Sequence, residues 1–525
     1  MVKLSCLFAL SLLLVLCRVA PAASTDIVPR GDTLNDAFAS LARAGLLAEN
    51  TYPADFLGEP LHTRGQLARL LETLLLDNQD QLSRAQGDSG AAPALRAALR
   101  GLQPELTADG VDVAAILEDT RASSTSVGGY VQPEGRLRVG GDSQPGSGAF
   151  GIYRATAQGD LGSRFRYVAS ASNWPQDWRR NFYNDVGPHD FSAVNEAYLE
   201  YAGERGLSVR LGRFYDRWGP GYLGATLLSD NAPPFDQALV AFPFSLGAHL
   251  GRDYRYSQML SAYKLNGRTI YFSARRVEYA FSRQLNADFQ ENFASDTARS
   301  LLLTPLPDFY NAENFNVLGL RSSGFNQKFN ANFNLGLSYD GGPLRLYGQF
   351  FLDDIQSPGH RTYTTPRKIA YLVGAALLPT PATQLIAEYA FADPTTYSNI
   401  NPSLQLQRGR FDEIGLPSGP NTREVFLRVS QQVTPHLSLA AEGRDRRRHD
   451  DSFPEPNTRT LGAFATYNLD LRNSLGLSFY DYRQDPFPLA SGVPVGNGFQ
   501  PTQQEGNYGQ RERIRELDLS YQFFF

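Results

Sequence analysis

The last ten residues of the chain, ELDLSYQFFF (residues 516–525), alternate between apolar and polar side chains until the final aromatic run. One face would carry Leu517, Leu519, Tyr521, Phe523 and Phe525, and the other would carry Asp518, Ser520 and Gln522. Successive side chains of a β-strand point to opposite faces, so the stretch predicts a strand with one apolar and one polar face. A transmembrane barrel needs this pattern, because its strands face lipid outside and a polar lumen inside.

The same period of two extends back to about Ser126. The segments that show it are RLRVGG (136–141), GIYRATAQ (151–158), NEAYLEYA (195–202), LSVRLGRF (207–214), TIYFSARR (269–276), LRLYGQFF (344–351), TLGAFATYNL (460–469) and SLGLSFYDY (474–482). They predict an all-β transmembrane outer-membrane β-barrel of antiparallel strands over residues 126–525. A soluble sandwich or propeller would also bury an apolar face, so alternation alone leaves that alternative open.

The aromatic end of the chain favours the barrel. A last strand that ends in Phe525 resembles the membrane-assembly signal of bacterial outer-membrane proteins. The resemblance implies insertion by the barrel-assembly machinery. Outer-membrane lipid and lipopolysaccharide would then be partners as well.

Residues 1–22 predict a signal peptide. Lys3 precedes an apolar run over residues 7–16, and Ala20-Pro21-Ala22 offers small residues for cleavage. A lipoprotein reading of Cys17 would place the bulky Leu16 and the basic Arg18 at its flanks. Both cysteines of the chain, Cys6 and Cys17, lie in this segment, so no disulfide or thiol chemistry is expected in the exported protein.

The charge of the chain disfavours nucleic acid as a partner. Removing residues 1–22 takes away Lys3 and Arg18 and no acid, so the net charge of −5 becomes −7. A nucleic-acid-binding protein is normally basic. After residue 22 there is no run of 18 apolar residues, so no transmembrane helix is expected.

The region 23–125 has helical spacing and predicts a small α-helical periplasmic domain. Leu34, Phe38 and Leu41 recur at helical intervals, and Gly45 stands where a helix would end. A second helix is predicted to open at Thr63, with Gln66 three residues on as a capping box, and to bury Leu67, Leu70, Leu71 and Leu74. A linker is predicted at 77–93, then helices at 94–102 and 111–118.

Residues 32–77 of this domain resemble one S-layer-homology repeat, through NDAFASLARAGLL and TRGQLARLLETLL. The resemblance implies contact with cell-wall polymers such as peptidoglycan. The alternative is a helical plug or spacer.

Loop lengths predict the strand count, because bacterial barrels have short turns at one end, long loops at the other and an even number of strands. Short links are predicted at 160–163, 203–206, 266–268, 340–343, 380–383, 434–436 and 469–473. Between them lie long segments, which include 217–253 and 280–330. This arrangement gives 16 strands, or 18 if the strand-like pieces 238–246 and 316–322 also belong to the wall.

The stretch LGRFYDRWGPGYLGATLLSDNAPP (211–234) carries a family resemblance. Together with residues 195–213 and LYGQFFLDD (346–354), it resembles the central signature of the Wzi capsule-assembly family of outer-membrane proteins. The motif residues are Arg217, Trp218, Gly219, Pro220, Gly221, Ser229 and Asn231. The resemblance implies an 18-stranded barrel, a helical periplasmic domain and a lectin-like role in holding capsular or similar polysaccharide at the surface.

Part of this motif has a structural interpretation. Pro220 presets its own φ and Gly221 supplies a positive φ, which predicts a tight turn. Asp216 beside Arg217 predicts a local ion pair rather than a catalytic acid.

Six residues in two outer segments are candidates for glycan binding. They are Trp174, Trp178, Arg179, Arg180, Arg217 and Trp218. Indole rings stack on the apolar faces of sugars, and guanidinium groups pair with acidic sugars. The alternative is that the tryptophans belong to the membrane-interface girdle or pack within their loops.

A basic cluster, GRDRRRHDD (443–451), is placed in another outer loop. Acidic glycan, lipopolysaccharide phosphates and plain solvent are all candidate surroundings for it.

No enzyme signature is present. The six histidines lack metal-site spacing and no GxSxG elbow occurs, so neither a catalytic residue, a metal site nor a cofactor is predicted. The sequence favours a non-enzymatic polysaccharide-binding outer-membrane barrel. A carbohydrate-selective porin is the main alternative, and a barrel hydrolase is a weaker one.

Overall fold

The structure, a computed structural model, describes residues 26–29, 32–47, 51–57, 62–77, 91–108, 110–119, 125–139, 147–162, 164–172, 193–203, 206–230, 234–244, 254–265, 268–282, 284–296, 329–353, 368–397, 414–448, 457–485 and 512–524. The predicted signal peptide, Trp174, Trp178, Arg179, Arg180, Asn231 and Phe525 lie outside these residues.

Eighteen strands form the barrel wall. They are β1 Thr125–Val139, β2 Ser147–Leu161, β3 Phe165–Ser172, β4 Ala193–Ala202, β5 Ser208–Phe214, β6 Phe235–Phe244, β7 Tyr254–Leu265, β8 Arg268–Ala280, β9 Leu285–Ser295, β10 Phe329–Asp340, β11 Leu344–Asp353, β12 Ile369–Thr380, β13 Thr383–Ala392, β14 Thr422–Gln432, β15 Leu437–Arg448, β16 Thr458–Asn468, β17 Asn473–Gln484 and β18 Glu512–Phe524. Each pairs antiparallel with its neighbours in the chain, and β1 closes the ring by pairing with β18.

Of the two predicted strand counts, the structure has 18. The predicted extra piece 238–246 overlaps β6. The other additional strand is β9, within the segment 280–330 that the sequence assigns to one long loop. The predicted piece 316–322 lies outside the described residues.

The two added strands correct the predicted loop arrangement. We call the end of the barrel where β1 begins and β18 finishes the turn end, and the opposite end the loop end. The short link 266–267 joins β7 to β8 at the loop end, although it was predicted among the short turns at the turn end. Residues 217–253 are likewise not one loop, because β6 divides them. When a strand between two links is overlooked, the next link is assigned to the wrong end of the barrel. Loop length alone does not reveal the omission.

The alternation that predicted the barrel is confirmed in the last strand. Leu519 of β18 is 60% exposed on the outer face, whereas Asp518 is 1% exposed and faces the interior. Phe524 also faces inward, where its ring lies 6.2 Å from that of Tyr130 on β1. The outer face of the wall therefore carries apolar side chains, as contact with lipid requires.

The N-terminal helices are α1 Thr33–Arg43, α2 Ala54–Leu57, α3 Arg64–Asp77, α4 Ala91–Gly101, α5 Gln103–Ala108 and α6 Val113–Asp119. We call residues 26–119 the helical domain. Its α4 begins inside the predicted linker 77–93, and the sequence did not predict α2 or α5. Among the described residues, no helix is long and apolar enough to cross a membrane.

The predicted helix boundaries hold where capping groups define them. The Thr63 backbone N–H donates to Gln66 Oε1 at 2.8 Å, and the Gln66 N–H donates back to Thr63 Oγ1 at 3.1 Å, which confirms the capping box. Gly45 has a φ of 67° just beyond α1, as a helix C-terminus favours. Leu34, Phe38 and Leu41 are buried in the core of the domain.

The helical domain packs into the turn end of the barrel. The Asp36 carboxylate accepts from Arg154 at 2.8 Å and from Thr156 at 2.9 Å on β2. The Thr33 N–H donates to Glu196 of β4 at 3.1 Å. These barrel side chains are buried and face the interior of the barrel, so the helical domain occupies the lumen at this end.

Candidate functional site

The segment that follows β5 folds into the lumen. We call residues 215–230, which contain the Arg-Trp-Gly-Pro-Gly motif, the inner loop. Every residue from 217 to 230 is buried. A loop on the barrel surface would expose its backbone to water. The inner loop instead needs partners in the lumen for its buried backbone groups.

The loop is closed at its neck by its own residues. Arg217 pairs with Asp230 at 2.9 Å and also donates to the Gly221 carbonyl oxygen. The Trp218 backbone N–H donates to the Leu228 carbonyl at 3.0 Å. This corrects the predicted Asp216–Arg217 ion pair, because Asp216 Oδ1 accepts from the Arg217 backbone N–H at 3.0 Å and from the Trp218 indole at 3.1 Å, while the guanidinium turns to Asp230.

A carboxylate on the far side of the barrel holds the tip of the loop. Glu388 lies on β13, eight strands from β5 in the 18-stranded ring. Its oxygens accept from the N–H groups of Tyr222 at 2.5 Å and Leu223 at 2.7 Å, and from the Tyr347 hydroxyl. Leaving three buried donors without this acceptor would be costly, so the contact fixes the loop across the lumen.

Side chains of β9, β10 and β11 satisfy other backbone groups of the loop. The Trp218 carbonyl accepts from Gln349 at 2.9 Å and Gln290 at 3.3 Å. Arg345 donates to the Pro220 carbonyl at 2.7 Å. Two wall residues also hold Thr226 of the inner loop. Gln349 accepts from the Thr226 N–H at 3.1 Å, and Asn334 accepts from the Thr226 hydroxyl at 2.7 Å.

The glycines of the motif permit close approach to the wall. A Cβ at Gly219 would lie 2.6 Å from the Gln349 side chain of β11, and one at Gly221 would lie 2.8 Å from the Leu372 side chain of β12. The positive φ predicted at Gly221 is not observed; Gly224, three residues later, has a φ of 156°. Space, rather than a left-handed turn, therefore requires glycine at Gly219 and Gly221.

A second segment from the loop end packs against the inner loop. The Tyr397 hydroxyl donates to the Thr226 carbonyl at 2.8 Å, and the Ser229 N–H donates to the Ile414 carbonyl at 2.7 Å. Tyr397 and Ile414 belong to the connection between β13 and β14. The motif residue Ser229 thus joins two segments that enter the lumen.

A hydrophobic core surrounds these hydrogen bonds. Trp218, Tyr222 and Leu228 of the inner loop are buried with apolar side chains that point inward from the wall. Those from β6 to β8 and β11 to β13 include Phe235, Met259, Ile270, Phe272, Phe351, Leu372 and Ile386. The interior of a water-filled channel is polar. This part of the lumen is instead packed like the core of a soluble protein.

The inner loop and the helical domain meet inside the barrel. Ile27, near the start of the helical domain, belongs to the same apolar cluster as Trp218, and its N–H donates to the Gly219 carbonyl at 3.5 Å. Asp26 beside it pairs with Arg276 of β8. The described residues therefore form a continuous column from the turn end to the inner loop.

The structure separates the candidate glycan-binding residues into two groups. Arg217 and Trp218 are each 4% exposed and engaged within the inner loop, which favours the shape-setting interpretation of the motif. Trp174, Trp178, Arg179 and Arg180 lie in the connection between β3 and β4, outside the described residues. The basic cluster is corrected in part, since residues 443–448 belong to strand β15 rather than to a loop.

Sequence reasoning missed the wall residues that hold the inner loop. Glu388, Gln349, Arg345 and Asn334 occupy inward positions of their strands, where any barrel would have polar residues. They differ from other inward polar residues only because they bond to the inner loop, and the sequence does not show which residues lie opposite that loop. Within the described residues, no three His, Cys, Asp or Glu side chains are grouped to hold a metal ion.

The fold is similar to that of solved outer-membrane proteins. Wzi of Escherichia coli, described as an outer-membrane protein involved in group 1 capsule assembly and as a carbohydrate-binding β-barrel, aligns with a TM-score of 0.51 and 11% identity over 94% of this chain and 98% of that chain. OccD3 of Pseudomonas aeruginosa aligns with a TM-score of 0.42 and 10% identity, over 76% of this chain and 91% of that chain.

An anion-selective porin of Comamonas acidovorans aligns with a TM-score of 0.37 and 12% identity, over 77% of this chain and all of that chain. No family model matches the sequence. No curated protein matches it either. At 11% identity the likeness to Wzi concerns the fold, and the chain is an outer-membrane β-barrel.

Proposed function

We propose that the protein is a non-conducting outer-membrane barrel that binds polysaccharide at its loop end, as a surface anchor for capsular or similar polymers. The observation that carries the proposal is the inner loop. It crosses the lumen to Glu388 and is buried in an apolar core, so its occupancy of the lumen is part of the folded state.

The filled lumen favours binding over transport. A porin needs a continuous water-filled path lined by polar groups. Here the inner loop, the Tyr397 segment and the helical domain occupy the interior, and wall side chains bond to backbone groups of the inner loop. A barrel with this interior can still present long connections at the loop end, where a polymer too large to enter would bind.

Trp174, Trp178, Arg179 and Arg180 remain our proposed glycan contacts. They lie in the connection between β3 and β4, at the same end of the barrel as the start of the inner loop. Stacking of indole on sugar rings and pairing of guanidinium with acidic sugars would hold the polymer. We further propose that the turn end faces the periplasm, where the S-layer-homology-like helical domain would meet peptidoglycan.

Two measurements test the proposal. The purified barrel in planar bilayers is expected to give no large, steady single-channel currents, and such currents would favour the carbohydrate-selective porin instead. In cells, deleting the gene is expected to raise the ratio of released to cell-attached polysaccharide. An unchanged ratio would contradict the anchoring function.

The residue assignment needs a variant that spares the barrel. Trp174→Ala with Trp178→Ala is expected to lower polysaccharide retention while the barrel assembles normally. The matched control is Tyr153→Ala, on the outward face of β2 and away from the β3–β4 connection. If the double variant fails to assemble, the tryptophans belong to the interface girdle rather than to a binding site.

A further inference from the structure

The outer face of β14 to β18 carries a row of arginines just above its apolar belt. We call Arg423, Arg447, Arg459, Arg483, Arg513 and Arg515 the arginine row. Each lies on the outward face within the last few residues of its strand at the loop end. Arg447, Arg459, Arg483 and Arg513 are 59%, 65%, 54% and 43% exposed in their side chains.

The row continues the lipid-facing surface directly. Arg423 stands two residues from Val425, Arg459 two from Leu461 and Arg515 two from Leu517, in each case on the same face. Val425, Leu461 and Leu517 are 43%, 57% and 42% exposed. The arginines therefore lie where the apolar belt gives way to charge, at the depth of lipid headgroups.

Strand register brings arginines of the row directly opposite one another. Arg423 pairs across with Arg447, Arg459 with Arg483, and Arg483 with Arg513. Like charges placed directly opposite in adjacent strands destabilise a sheet. Such a row is unfavourable by itself, and an anion seated over it would remove the repulsion.

Two aspartates on the same face relieve only part of this charge. Asp445 pairs with Arg447 at 2.8 Å and Arg459 at 3.0 Å. Asp481 pairs with Arg483 at 3.0 Å and Arg513 at 2.5 Å. A third acid, Asp485, follows β17 on the same face and accepts from Asn457 at 3.4 Å. Among the described outward residues at this edge, six arginines thus face three acids, which leaves a net positive surface. On the opposite side of the barrel, the outward Arg213 of β5 pairs with Asp236 of β6 at 2.6 Å.

We propose that the arginine row binds the phosphate groups of the glycolipid in the outer leaflet, namely the lipid A part of lipopolysaccharide. Guanidinium groups bind phosphate through paired, charge-assisted hydrogen bonds. The acyl chains would cover the adjacent apolar belt formed by residues such as Leu461 and Leu517. An acidic polysaccharide would meet the charges but would leave that belt uncovered, so the geometry favours the lipid. This inference rests on the outer-membrane fold and on the proposed orientation, with the turn end facing the periplasm, and not on the polysaccharide proposal.

The test uses the full-length protein in detergent micelles with lipid A as the probe. Arg447→Gln/Arg459→Gln/Arg513→Gln is expected to weaken binding of phosphorylated lipid A by about tenfold or more, as the loss of charged hydrogen bonds implies. Arg213→Gln, which removes an outward arginine from the opposite side of the barrel, is the matched control and is expected to leave binding unchanged. Lipid A stripped of its phosphates is expected to bind the unaltered protein as weakly as the triple variant binds the phosphorylated form.

Further measurements and variants distinguish the alternatives. Heat-modifiable migration on gels reports barrel assembly, and the single variant Arg459→Gln serves if the triple variant does not assemble. Asp445→Asn/Asp481→Asn is expected to tighten binding, because it frees arginines for phosphate. Equal binding by the triple variant and the unaltered protein would overturn the proposal, as would full retention of affinity without the phosphates. Displacement of lipid A by soluble polygalacturonate at low concentration would overturn it in favour of an acidic glycan.

Discussion

Two of the segments that occupy the lumen, the inner loop and the helical domain, are held in different ways. The inner loop is held mainly through its backbone, whose groups bond to Glu388, Gln349 and Arg345 within an apolar core. The helical domain has its own core and docks through charged side chains. Its Arg96 and Arg100 both pair with Asp160 of β2.

This difference assigns the two segments different roles. Backbone bonding inside an apolar core makes the inner loop part of the barrel's own packing. A domain with a separate core that docks by ion pairs can be released without dismantling that core. We therefore expect the inner loop to be the permanent seal and the helical domain to be the removable one.

The largest expected effect comes from removing both segments. Replacing residues 216–230 by a short Gly-Ser linker in a chain that also lacks residues 26–119 is expected to produce steady single-channel currents in planar bilayers, because two of the three segments that fill the lumen are gone. Either deletion alone is expected to leave conductance low. Currents after deletion of the helical domain alone would show that the inner loop is not the seal.

The next effect should come from Glu388. Glu388→Leu leaves the N–H groups of Tyr222 and Leu223 and the Tyr347 hydroxyl without their acceptor. The expected loss is roughly 4 kcal/mol for three buried donors at about 1–3 kcal/mol each. Hydrogen exchange at the Tyr222 and Leu223 amides measures the resulting release of the inner loop.

The control for this variant is Glu442→Gln on β15. Glu442 lies two strands along the wall from Glu388 and pairs with Arg428 of β14 at 2.7 Å. It is expected to leave exchange in the inner loop unchanged. If both variants released the loop equally, Glu388 would have no special role in holding it.

A smaller effect is expected at the helical domain. Asp160→Asn removes the carboxylate that pairs with the buried guanidinium groups of Arg96 and Arg100, which is expected to weaken docking by about 3 kcal/mol. Proteolysis of the helical domain should accelerate while the amides of Tyr222 and Leu223 keep their protection. Loss of protection in both regions would mean that the two segments are held as one unit.

The smallest effect concerns pH. Burial raises the pKa of Asp55 in α2 to about 6, against the opposing hydrogen bond from the Tyr52 N–H. Because this pKa lies above the unfolded value of about 3.9, the contribution of Asp55 is fully present below about pH 4 and is lost as the pH rises through 6. The loss amounts to slightly less than ~3 kcal/mol.

Asp55→Asn isolates this contribution. Burial lowers the pKa of the neighbouring His62, so its contribution has the opposite sign and is lost as the pH falls. Hydrogen exchange in α2 between pH 4 and 7 measures the stability of the unaltered protein and of the variant. The difference between the two removes the contribution of His62, which both share. A difference that does not change with pH would contradict the assignment.

Much of the fold followed from local patterns. The alternation in residues 516–525 predicted a lipid-facing and an inward face, and exposed Leu519 beside buried Asp518 confirms it. The capping box of Thr63 and Gln66 was equally readable, because both partners lie within one helical turn. Strand β9 was missed, because LNADFQENFAS carries polar residues at several positions that are buried inside the barrel.

The sequence by itself determined the period of the strands, the helical nature of the N-terminal region and the importance of the Arg-Trp-Gly-Pro-Gly stretch, because each depends on neighbours a few residues apart. Only the tertiary structure decided that this stretch lies inside the barrel. Its partners are far away in the chain, with Glu388 standing 166 residues from Tyr222. The arginine row was decided in the same way, since strand register, and not sequence spacing, places Arg459 opposite Arg483 and Arg483 opposite Arg513.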